Sequence, residues 1–78
     1  MRALLDHLVD GGRLDADLAG TLEALLDNAE RQAEAGRPHV ARTLLGLAGQ
    51  LAALYGQLGL VPPDVAAALV EEFDQLQP

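Results

Sequence analysis

An all-α fold, an antiparallel up-down-up-down four-helix bundle, follows from three features of the chain. Half of the residues are apolar, mostly Leu and Ala, with no Ile and no Trp, a composition that favours helix over strand. Gly11-Gly12, Gly36 and Gly59, together with Pro38 and Pro62-Pro63, cut the chain into four segments of helical length. From Thr43 to Pro63 there is no charged residue, and Leu44, Leu47, Leu51, Leu54 and Leu58 recur at steps of three and four. That spacing predicts an apolar stripe on a central helix, covered by its neighbours.

The first segment runs from about Ala3 to Asp10 with Leu4, Leu5, Leu8 and Val9 on one side, and Gly11-Gly12 end it. Asp15 is placed to cap a longer helix that reaches about Ala35, with Leu18, Leu22, Leu25, Leu26, Ala29 and Ala33 facing inward. Gly36 stops it. Pro38 suits the first turn of a third helix, since its missing N–H has no intrahelical partner there, and this helix continues to about Leu58. Pro63 and Asp64 open a fourth to about Leu76, with Val65, Leu69, Phe73 and Leu76 turned inward. Short connections make neighbouring helices antiparallel. Residues 1–78 are expected to form a single domain, at a size where a core alone supplies only about 3–5 kcal/mol.

The antiparallel arrangement also sorts the charges. Arg31, Arg37 and Arg42 are expected at the same end as Glu71, Glu72 and Asp74, so that opposite charges meet at one pole. Asp10, Asp15, Asp17 and Asp64 gather at the other, relieved by Arg13.

A net charge of −7 argues against nucleic acid or an anionic membrane surface as partner. Gln50, Gln57, the glycines and the Pro pair interrupt the uncharged run, so no membrane insertion is expected. The chain lacks Cys, Ser and Lys, and Thr21 and Thr43 have no His and carboxylate pair at hand, so no catalytic residue is expected. His7 has Asp6 and Asp10 near it but His39 falls at the opposite pole, and the acidic pole lacks the spacing of a calcium loop. No metal and no cofactor is expected.

The segment from Leu4 to Leu76 resembles the FIMAH domain, a small helical module appended to secreted and cell-surface proteins, often hydrolases, of Gram-positive bacteria. The residues that carry the likeness are Leu8-Val9-Asp10-Gly11-Gly12-Arg13-Leu14, Leu18-Ala19 to Leu22, Leu26-Asp27-Asn28-Ala29-Glu30, Gly36, Leu47 to Leu51, Pro63, Val65-Ala66-Ala67 and Leu69-Val70. Where the family shows Phe-Ile-Asn followed by Gln or His in the third helix, this chain has Leu47-Ala48-Gly49-Gln50. The resemblance implies a non-catalytic accessory or interaction domain and brings no catalytic residues with it.

The functional expectation is therefore a non-catalytic protein-interaction or accessory module; a cytoplasmic docking or adaptor domain of a multienzyme assembly and a small structural homo-oligomer are the alternatives. Cell-surface or secreted localisation is expected for a domain excised from a longer protein, and cytoplasmic localisation for a chain complete as given. The surface expected to meet a protein partner or a second copy is the stripe Thr43, Gly46, Gln50, Ala53 and Gln57, small and uncharged on an otherwise acidic molecule. Glycine costs about 1 kcal/mol against Ala inside a helix, so Gly46, Gly49 and Gly56 imply close approach by something. Two occupants of that side stay open at this level: the first or fourth helix of the same chain, or a partner.

Overall fold

The internal helix boundaries follow from local chemistry. In the computed structural model, which describes residues 1–77, the helices are α1 (Arg2–Asp10), α2 (Ala16–Glu34), α3 (Pro38–Gln57) and α4 (Pro63–Leu76). Asp15 sits in extended backbone and its carboxylate accepts the Asp17 N–H at 2.8 Å, satisfying one of the free donors that begin α2. Helices α3 and α4 instead begin with proline in the first turn. Gly36 ends α2 at φ +80, where Arg37 N–H reaches back to the Gln32 carbonyl at 2.8 Å and Gly36 N–H to Ala33. The same double closure recurs at Gly12 and Gly59, so three turns of one kind reverse the chain three times.

The helices are antiparallel in sequence order. Along the α3–α4 contact, Gly46 lies nearest Gln77, Gly49 nearest Phe73 and Gly56 nearest Ala66, so numbers rise on one helix as they fall on the other. Among the described residues, the α3 backbone approaches both α2 and α4, which do not approach each other, while α1 lies along α2. Helix α3 is thus the hub. Its 20 residues span roughly 30 Å, most of the 36 Å long axis.

The core is apolar throughout: Leu5, Leu8, Leu22, Leu26, Leu45, Tyr55, Val65, Leu69 and Phe73 are buried, and no polar or charged residue among those described is. Leu14 and Val61, in the connections, close its open end at the helix turns. Each follows a positive-φ glycine by two residues, Gly12 in one case and Gly59 in the other.

Three sequence expectations need correction. The Leu stripe of α3 is not its buried face: Ala41, Leu45, Ala48, Ala52 and Tyr55 are buried, while Leu47, Leu54 and Leu58 are exposed and Leu44 and Leu51 half-buried. The true inner face is the expected one shifted by one residue, a rotation of about 100°. The cause is the hub position. A helix flanked by two others must be thin where they approach, so alanines turn inward, and Leu22, Leu26, Leu69 and Phe73 of the neighbours fill the space.

At the helix ends, Ala33 and Leu76 are exposed, since the last turns of α2 and α4 run past the end of the core. The third correction concerns charge. Among the described residues, Arg31, Arg37 and Arg42 form no ion pair with Glu71, Glu72 or Asp74; Arg37 turns back to the Gln32 side-chain oxygen at 3.3 Å instead. The ion pairs present join Arg2 to Asp27 and Glu30, and Arg13 to Asp64.

Candidate interaction surface

Rotation of α3 sorts its residues into an inner face and two outer rows. Gly46, Gly49 and Gly56 turn toward α4. A Cβ built on Gly56 would stand 2.6 Å from the Cβ of Ala66, and one on Gly49 would stand 3.7 Å from the Cβ of Phe73. The glycine strip is therefore occupied by α4 of the same chain.

Along the outside of that contact the two helices leave an open groove of about 930 Å³. Gly46, Gln50, Ala53 and Gln57 line one wall, and Ala67, Val70, Glu71 and Asp74 the other. Thr43, the remaining residue of the expected stripe, is exposed outside the groove and donates its hydroxyl to the His39 carbonyl at 3.1 Å. The structure thus brings four of the five stripe residues to one groove wall.

The second row consists of residues whose periodicity alone assigns them to the core. Leu47, Leu54 and Leu58 are 48%, 44% and 63% exposed, half-buried Leu44 and Leu51 complete their line, and Leu60 follows in the turn at 52%. On a helical wheel this ridge lies directly beside Thr43, Gln50 and Gln57. The two rows make one continuous outer face, apolar on one side and amide-bearing on the other, with no charge of its own. The signal is present in the sequence as the Leu spacing. Its direction is not, because α3 is uncharged on every side from Thr43 onward.

The electrostatics of the remainder are those of a solvated surface. Hydrogen bonding to Arg13 holds the Asp64 carboxyl below its ordinary range, and hydrogen bonding to Arg2 does the same for Glu30. In return Glu30 and then Asp27 raise the Arg2 guanidinium further above its already high value. All of these groups are exposed, so the pairs link α1 to α2 and the α1–α2 turn to α4 only weakly and set up no reactive carboxyl. Among the described residues, no group of three or more His, Asp or Glu side chains is placed to hold a metal ion. No helix of the described residues is long and apolar enough to cross a membrane.

Comparison with protein families matches the FIMAH domain over residues 1–77. The chain belongs to the FIMAH domain family. Neither curated proteins nor solved structures gave a match. In this FIMAH domain, the segment Leu47-Ala48-Gly49-Gln50 straddles all sides of α3: Leu47 on the ridge, Ala48 in the core, Gly49 against α4 and Gln50 on the groove wall.

Proposed function

We propose that this FIMAH domain is a non-catalytic protein-interaction module, an accessory domain of an extracellular bacterial protein, whose docking surface is the outer face of α3. The observation that carries the reading is the exposure of Leu47, Leu54 and Leu58 in one line on a chain of net charge −7. Exposed leucines scattered singly are ordinary. A row of them beside uncharged Gln50 and Gln57 has the make-up of an interface centre, where charge is depleted and apolar area is shed from water on contact. The absence of Cys, Ser and Lys from the chain supports the non-catalytic part.

A photo-cross-linking residue placed in turn at Gln50, at Leu58 and, as a control on another helix, at Ala24 of α2 tests the reading in the cells that produce the protein. Adducts to any protein, a second copy included, are expected from the two α3 positions and not from Ala24. Equal yields from all three positions, or adducts from Ala24 alone, would refute the placement.

A further inference from the structure

Resting on that reading, we infer that the occupant of the outer face of α3 is a second copy of this chain, paired antiparallel about a two-fold axis that crosses the helix near Ala52–Ala53. The ridge Leu44, Leu47, Leu51, Leu54 and Leu58 alternates steps of three and four, the spacing at which a helix presents a straight seam to another helix. A closed dimer needs a patch complementary to itself, so that each contact occurs twice. This seam has that property in reverse register. Leu47 meets the partner's Leu58 and Leu51 meets the partner's Leu54, each contact repeated by symmetry.

The flanking row fits the same register. Gln50 falls opposite the partner's Gln57, and their amides, each both donor and acceptor, can bond reciprocally along the open side of the seam. The other flank, Ala48 and Tyr55, is buried in the chain's own core and closes the contact there.

Charge fixes the direction. Arg37 and Arg42 stand at the start of α3 together with Glu71, Glu72 and Asp74 of α4, while Asp15, Asp17 and Asp64 stand near the other end of α3, where Arg13 pairs Asp64. Antiparallel pairing sets the mixed-charge end of each copy beside the more acidic end of the other; parallel pairing stacks the two most acidic ends. The rest of the surface is too acidic to self-associate readily, whereas the seam is free of charge. Because the overlap is short and each copy has a complete core of its own, the dimer is a concentration-dependent one.

Sedimentation from micromolar to millimolar concentration, with melts alongside, tests the pairing. Wild type is expected to pass from monomer to dimer, and Leu54→Glu to raise the dissociation constant by about tenfold or more while its melt shows a folded protein, because dimer formation buries an unpaired carboxylate. Should Leu54→Glu unfold the domain, Leu58→Glu serves in its place, since Leu58 is 63% exposed. Direction is read by disulfide exchange, which the absence of native cysteine permits. In an equimolar mixture of Gln50→Cys and Gln57→Cys, the mixed disulfide is expected above its statistical share. Predominance of the two symmetric disulfides overturns the antiparallel geometry. A wild type that stays monomeric to millimolar concentration overturns self-pairing. Photo-adducts from α3 to a different protein would then leave the wider docking reading standing, and their absence would remove both.

Discussion

Replacing Gly56 by Ala should destabilise this domain even though alanine is the better helix former. Inside an exposed helix the exchange gains about 1 kcal/mol. Here the new Cβ would stand 2.6 Å from the Cβ of Ala66, closer than carbon atoms in contact approach, and both atoms are fixed to helix backbone. Neither can swing away, so α3 and α4 must separate by about an ångström along a contact that also holds Phe73 and Leu69. Overpacking of this kind costs about 1–3 kcal/mol, and the rigidity of both partners places it at the upper end. The net loss is then about 2 kcal/mol, a fall of about 10 °C in melting midpoint for a domain of this size. The other helical glycines supply the control. A Cβ added at Gly20 would meet nothing within 4 Å, while Gly46 and Gly49 meet only ordinary contacts at 3.7 Å, so Ala at each should leave the midpoint unchanged or raise it. Thermal melts of the four variants, with Gly56→Ala/Ala66→Gly as a fifth, decide the matter. Recovery in the double variant beyond the sum of the singles is expected. A midpoint raised by Gly56→Ala would refute the close approach of α3 to α4.

Leu69→Ala, at a fully buried position, should cost about 2–5 kcal/mol, and Leu54→Ala, at the exposed ridge, within about 0.5 kcal/mol in the monomer; chemical denaturation of the two measures both. Asp15→Ala removes the cap on the Asp17 N–H and should lower stability by about 1 kcal/mol, seen as a drop of several degrees in the melt. Asp64 and Glu30 have folded values below their unfolded ones, so the stabilisation from their Arg13 and Arg2 partners is complete above about pH 4.5 and is lost as pH falls through the folded values. The midpoint difference between wild type and Asp64→Asn should therefore be constant near neutrality and shrink in acid, a small effect because the pair is exposed.

Helix boundaries are legible in the sequence because they are set by residues next to one another in the chain: Asp15 caps α2, Pro38 and Pro63 open helices, and Gly12, Gly36 and Gly59 supply the positive φ that reverses direction. The rotation of α3 is not legible, for the opposite reason. Its Leu set and its Ala set share one periodicity a residue apart, and burial of the larger side chains is the default outcome. Tertiary geometry reverses that preference, since only the alanine side lets α2 and α4 close on one hub. The clue available in sequence is the glycines on α3, which imply a close neighbour at a known angle from the core. Leu14 and Val61 are detectable in a similar way, as apolar residues two places after a helix-ending glycine. Arg2 belongs to a different class. Its partners Asp27 and Glu30 share a face of α2 at a spacing of three, but which cation reaches them depends on how α1 lies along α2.

Leucine-methyl NMR of the wild type across a concentration series tests the docking face most directly, because each leucine reports on its own surroundings. Resonances of Leu47, Leu54 and Leu58 should shift together as concentration rises, with Leu51 following and Leu5, Leu22 and Leu69 unmoved. Shifts confined to α1 and α4, or a ridge whose resonances do not change at any concentration, would contradict an outer face of α3 that pairs with its own copy.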